Sequence, residues 1–170
     1  MPKETIFIEH LVAQKPTLKL TLSRVGIVLL ALTVDFIAGW IFPPIFAIVF
    51  AISCWAAWKW IKSLKVEFEY VLTDSTLDID RIFGQSFRRR FLSVDIKKFD
   101  IMAPCRPEYA KEYSSAAIGK TVDCSSEPSA EDRYFAVYTD AVGTRTLLWF
   151  EPNGKMLDAM RIYLQRKLAT

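Results

Sequence analysis

Apolar positions follow two regimes along the chain. Over residues 25–58 they form a nearly unbroken run, VGIVLLALTVDFIAGWIFPPIFAIVFAISCWAAW, whose one charge is Asp35. Beyond Lys65 they alternate with polar positions. A helix that crosses a bilayer needs roughly 20 apolar residues, so the run is too long for one untilted helix and suits two short ones. Pro43-Pro44 divides it, because proline lacks a backbone donor and drives the residue before it out of the helical region. The pattern predicts a helix over 23–42, a tight turn, and a second helix over 45–62. Neither stretch shows the polar face of a soluble core helix. The run also exceeds the apolar core of a signal peptide, and a second apolar stretch follows it at once.

The later alternation predicts strands. Val66, Phe68, Tyr70 and Leu72 alternate with Glu67 and Glu69, and Leu77 and Ile79 with Asp78 and Asp80. Thr73-Asp74-Ser75 and Gly84-Gln85 read as turns. Further strands are predicted over 87–94, 96–102, 133–139 and 144–150. Residues 103–131 hold three Pro and five Ser and read as a long loop, with a helical turn near Glu108–Tyr113 and room for a short strand around Ile118 and Val122. Met156, Leu157, Met160, Tyr163, Leu164 and Leu168 then recur at helical spacing, with Asp158 early and Arg166 and Lys167 late, as the helix dipole favours. Before the apolar run, Ile6, Phe7, His10, Leu11 and Ala13 suggest a short amphipathic helix on a membrane surface, the other reading being a frayed tail. The expected division is 1–22 as an N-terminal cytoplasmic amphipathic segment, 23–62 as a transmembrane hairpin and 63–170 as a cytoplasmic domain. The fold class is α+β: a helical hairpin, an antiparallel sheet or barrel, and a capping C-terminal helix.

Charge sets the expected orientation. Lys15, Lys19 and Arg24 precede the first helix, Lys59, Lys62 and Lys65 follow the second, and the turn has no charge. Basic flanks stay inside, which places both termini in the cytoplasm of a multi-pass protein of the cell membrane. Trp40 then lies near the outer interface and Trp55, Trp58 and Trp60 near the inner one. Asp35 falls inside the membrane. It is either a hydrogen-bonded packing residue or part of a proton or ion path, and two helices alone supply few walls for a pore.

The stretch YVLTDSTLDIDRIFGQSFRRRFLSVDIKKFDIMAP, with EHLVAQKPTLK near the start, resembles bacterial pleckstrin-homology-like membrane proteins, in particular a Gram-positive family without an assigned function. The resemblance implies a cytoplasm-facing pleckstrin-homology-like barrel. Fold alone does not give function.

The densest basic cluster is Arg88, Arg89, Arg90, Lys97 and Lys98. One reading is attraction to anionic lipid headgroups, worth about 1 kcal/mol per basic residue near the surface. The other is cross-strand pairing of Arg88 and Arg90 with Asp78, Asp80, Asp95 and Asp100. Inositide-binding pleckstrin domains place basic residues at the first hairpin turn, which here is Thr73-Asp74-Ser75.

From Lys62 onward, 17 Lys and Arg face 16 Asp and Glu, which excludes an electrostatic nucleic-acid footprint. No catalytic residue, metal site or cofactor is predicted. The sole histidine, His10, precedes the membrane run and supplies no base for a Ser or Cys nucleophile. Cys54, Cys105 and Cys124 lack zinc-ligand spacing. Glu67/Glu69 and Asp78/Asp80 are expected on a solvated face, and no glycine-rich phosphate loop is present. The chain is 170 residues long with 52% hydrophobic residues and a net charge of +3, which suits one domain and an anchor. The expectation is a membrane-anchored, non-enzymatic binding or scaffolding protein that offers its β domain to a protein partner or a second copy. The alternatives are an anionic-lipid sensor and an accessory subunit of a membrane complex.

Overall fold

The computed structural model describes residues 6–164, 167 and 168. They form two compact units. One contains residues 1–14, 67–82 and 88–170; the other contains 15–66 and 83–87.

The second unit is built on two helices, α1 (Leu18–Ile41) and α2 (Phe46–Ser63), joined by a 3-10 turn at Pro43–Ile45. Thr17 caps α1 by accepting from the Leu20 N–H at 3.4 Å. Phe42 closes its other end, its N–H donating to the Ala38 carbonyl at 2.9 Å, where proline blocks continuation. The first helix starts about a turn and a half before the predicted residue 23, because Thr17 supplies the cap and Leu18, Lys19 and Leu20 are good helix formers. Both helices are long and apolar enough to cross a membrane. Most of their apolar side chains are exposed, up to 78% for Trp40, and none is buried. Asp35 is the one buried residue of α1. The backbone of Gly39 approaches the Phe46 ring so closely that a Cβ would stand 3.3 Å from it.

The first unit contains two four-stranded sheets. The first has the order β1 (Phe7–Ala13), β2 (Val66–Thr73), β3 (Thr76–Phe83), β4 (Phe87–Asp95). The N-terminal segment is therefore a strand, not the amphipathic helix its apolar positions suggested. Ile8, His10 and Val12 face inward opposite Leu72, Tyr70 and Phe68, while Phe7, Glu9 and Leu11 are exposed, the two-residue period of a strand. Residues 1–5 lie outside the described residues.

The second sheet has the order β5 (Phe99–Pro104), β7 (Tyr134–Thr139), β8 (Arg145–Phe150), β6 (Lys120–Asp123). β5 and β8 run antiparallel to β7, but β6 runs parallel to β8, so this sheet is mixed. No closed barrel forms among the described residues. A short 3-10 turn at Ile96–Lys98 separates β4 from β5, where one continuous strand was expected to begin at Ile96. Asp95 breaks the run by accepting from the Lys97 N–H at 3.0 Å.

The core lies between the sheets. The first sheet buries Phe68, Tyr70, Leu72, Leu77 and Ile79 and the second buries Ala136, Leu148 and Phe150, with the Tyr70 and Phe150 rings meeting edge-on at 6.1 Å, and helix α4 (Gly154–Leu164) adds Met156, Met160 and Leu164. The buried Tyr70 hydroxyl donates to the Cys124 carbonyl at 2.7 Å and accepts from the Glu151 N–H at 3.3 Å. Burial pushes both the Tyr70 phenol and the Cys124 thiol up, the thiol to about 12. α4 ends at Leu164, and Leu168 forms a single parallel bridge to Met102; Arg166 lies outside the described residues.

The outer face of the second sheet is covered too. Ala103, Phe135, Val137, Leu147 and Trp149 form a cluster roofed by Tyr109, Tyr113 and Ile118. Tyr113 reaches both Phe135 and Trp149 with ring centroids at 5.3 Å. These residues come from the long connection, which contains the one-turn helix α3 (Ala110–Tyr113). Arg133 ties down its remainder: the guanidinium lies 4.0 Å from the Trp149 ring centroid and donates to Asp123 at 2.7 Å and to the Pro128 carbonyl at 3.0 Å.

Candidate functional site

The basic cluster is divided by strand alternation. Arg88 and Arg90 lie on the face of the first sheet that also carries Glu69, Asp78 and Asp80. Arg88 reaches over β3 to Glu69 at 2.7 Å. Arg90 contacts Asp80 at 2.6 Å and Asp78 at 3.0 Å. The Asp80 hydrogen bond raises the Arg90 guanidinium above its ordinary value, partly opposed by burial. The arginine heads remain mostly exposed, while Glu69 and Asp80 are buried beneath them. These carboxylates are therefore not on an open solvated face, as alternation alone suggested.

Of the four acids expected opposite the arginines, Asp78 and Asp80 pair with them, whereas Asp95 shapes a turn and Asp100 is exposed. Glu69 was not among the expected partners. It lies two strands from β4, and only sheet order reveals that reach.

Arg89 is exposed on the opposite side of β4. The Lys97 ammonium sits 5.4 Å from the Tyr163 ring centroid, and the Lys97 carbonyl accepts from the Lys167 ammonium at 2.9 Å. Lys98 lines a cleft of about 350 Å³. Its other walls are the end of β4 from Leu92 to Asp95, Lys120 at the start of β6, and the β7–β8 turn from Tyr138 to Val142. Asp140 builds that turn by accepting from the N–H groups of Val142 and Thr144 at 2.9 and 2.8 Å. Asp95 is likewise engaged at its own turn. Lys98 and Lys120 are exposed, and neither enters an ion pair among the described residues. Burial, then the nearby Asp140, pushes the Tyr138 phenol up. The cleft thus offers two exposed cations beside a partly desolvated phenol. Lys120 was missed in the sequence because it sits in a segment read as loop.

A family model described as a bacterial PH-like domain (DUF6106) matches residues 4–170. The chain belongs to that family. PH-like domains are generally non-catalytic modules that bind lipids or proteins, in keeping with a cleft of lysines and turn-building carboxylates. No curated protein and no solved structure gives a match. No group of three or more metal-ligating side chains occurs among the described residues.

The other candidate, Asp35, is seated between α1 and α2. Its Oδ1 accepts from the Ser53 hydroxyl at 2.7 Å. The interhelical register brings Ser53 to it. Beside this pair an open groove is lined by Leu32, Phe36, Gly39, Trp40, Phe46 and Phe50.

Proposed function

We propose that this PH-like protein is a membrane-anchored, non-enzymatic binding module. In this reading residues 23–62 cross the cell membrane as a hairpin with both ends in the cytoplasm. Residues 63–170, completed by β1, face a protein partner at the inner surface. One observation carries it: no apolar side chain of α1 or α2 is buried and most are exposed, a surface that water does not tolerate and lipid does.

Chain connectivity supports the same topology. β1 precedes the helices and β2 follows them, yet the two strands pair along their whole length from Phe7–Thr73 to Ala13–Glu67. Paired strands lie on one side of a membrane, so the segment between them crosses it an even number of times. Basic residues at both helix ends and none at the turn agree with this.

The test is retention and sidedness. The full-length chain should stay in membranes through an alkaline carbonate wash. A membrane-impermeant thiol reagent should reach the exposed Cys105 only in inverted vesicles. Release by carbonate, or labelling of Cys105 in intact cells, overturns the reading. Cross-linking from native membranes should then recover a partner that a chain ending at residue 66 does not; identical recoveries would remove the scaffolding role.

A second reading, capture of an anionic lipid headgroup, is favoured by the Lys98–Lys120 cleft. Within the original cluster it draws on Arg89 and Lys98 more than on Arg88, Arg90 and Lys97, whose groups already have partners.

A further inference from the structure

The unit containing the helices also includes the turn between β3 and β4, residues 83–87. That turn is fastened to the end of α2. The Gly84 N–H donates to the Lys65 carbonyl at 2.8 Å. The Gly84 backbone lies so near Ser63 that an added Cβ would stand 3.0 Å from the Ser63 Cα. Its φ of +57° is open to glycine at little cost, so two separate constraints select this residue.

The last turns of α2 have the chemistry of a lipid–water boundary. Trp55, Trp58 and Trp60 are exposed there. The Lys59 ammonium lies 5.0 Å from the Trp55 ring centroid, and that of Lys62 lies 5.6 Å from the Trp58 ring. Tryptophan prefers the headgroup level, and lysine extends its charge toward it. The β3–β4 turn is held at this level and presents its own aromatic pair. Phe83 and Phe87 have centroids 6.4 Å apart; Phe83 is half-buried and Phe87 is 63% exposed. Gln85 and Ser86 between them are polar and exposed, as a headgroup region allows.

We propose that the β3–β4 turn is a second membrane contact, in which Phe83 and Phe87 enter the headgroup region of the bilayer beside the Lys59–Lys62 end of α2. The occupant is lipid rather than a soluble protein, because the turn is bonded to the backbone just past a helix end that already carries the interfacial residues. Its consequence is mechanical: the chain meets the bilayer at the turn as well as at the ends of the helices. The inference rests on the reading of α1 and α2 as membrane-spanning.

The test uses the full chain with Cys54→Ser and Cys105→Ser, reconstituted in phosphatidylcholine–phosphatidylglycerol bilayers. An environment-sensitive fluorophore is attached at Ser86→Cys, or at Trp58→Cys as a reference. Spin-labelled lipids act as quenchers. The probe at position 86 should lose emission with headgroup-proximal labels, about twofold more than with labels deep in the acyl chains, as burial only 5–10 Å into the boundary implies. Adding Phe83→Ser and Phe87→Ser should cut that loss at least twofold while leaving quenching at position 58 intact. Quenching at 58 without quenching at 86, or quenching at 86 that the double substitution leaves unchanged, overturns the proposal and leaves the membrane-spanning reading standing. No quenching at either position overturns both.

Discussion

The Ser53 hydroxyl of α2 donates to Asp35 Oδ1 of α1 at 2.7 Å, the one side-chain bond between the helices among the described residues. It joins the most polar position of each apolar run. Hydrogen bonds between membrane helices contribute about 0.6 kcal/mol on average and up to about 1.7, because the separated helices also find partners. Ser53→Ala should therefore lower the stability of the full chain by an amount in that range, read from unfolding in mixed micelles. Asp35→Asn, which keeps an acceptor, should cost less than Asp35→Leu. Equal stability of all three variants would show that the pair is incidental to helix packing.

Strand β1 makes a sharper distinction. Val12 is 8% exposed and faces Phe68, while its neighbour Leu11 is 50% exposed and faces Glu69. Val12→Lys buries an unpaired charge, whereas Leu11→Lys leaves one in solvent across from the Glu69 carboxylate. The first should cost about 2 kcal/mol or more and the second within about 0.5 kcal/mol, by denaturant unfolding of the strand unit in the full-length protein. A helix at this position would not separate adjacent residues in this way. The same pairing means that the segment from residue 62 onward lacks an edge strand, so tests of the domain need the N-terminus.

The contrast shows what local pattern contains. The helices were legible because an unbroken apolar run with a Pro-Pro break admits few arrangements. The strands from Val66 to Phe83 were legible because alternation marks a half-buried surface. β1 was not, since six apolar positions in eight residues fit either period, and its partner β2 lies across the whole hairpin. The parallel pairing of β6 and the open arrangement of two sheets depend on contacts distant in sequence. So does the roof formed by Tyr109, Tyr113 and Ile118, whose spacing acquires meaning only against Phe135 and Trp149. At the candidate site, the run of three arginines was visible, but its neutralisation by Glu69, Asp78 and Asp80 required sheet order.

Alkaline stability follows from two buried acids of the strand core. Burial raises Cys124 from its ordinary 9.0 to about 12, and raises Tyr70 above its ordinary 10.0. Each folded-state value exceeds its unfolded one, so the folded chain keeps a proton that the unfolded chain releases. The contribution is complete below the unfolded value and is lost as pH climbs toward the folded one. Stability should begin to fall near pH 9 through Cys124 and fall faster above pH 10 as Tyr70 and Tyr138 join. Each group adds a slope of about 1.4 kcal/mol per pH unit inside its window. Cys124→Ala should remove the decline between pH 9 and 10 in denaturant titrations at fixed ionic strength. An unchanged decline in that variant would assign it to other groups.

Lysine and arginine substitutions discriminate the cleft from the sheet face. Arg88 and Arg90 already neutralise three buried or half-buried carboxylates, so converting both to Gln should lower stability and barely alter attraction to an anionic bilayer. Lys98 and Lys120 lie over the cleft without ion-pair partners among the described residues, so their attraction is available to a ligand. Each lysine near an anionic surface contributes on the order of 1 kcal/mol, so Lys98→Gln with Lys120→Gln should weaken binding of a soluble phosphatidylglycerol headgroup analogue by about tenfold or more. The loss should shrink at high salt, because exposed charges more than a Debye length of about 10 Å from a phosphate are screened at 0.1 M. Titration of the full chain in neutral-lipid nanodiscs reads both effects without competition from the surrounding bilayer. If the arginine pair carried the loss instead, the ion pairs to Glu69, Asp78 and Asp80 would have to open on binding, and the cleft would not be the headgroup site.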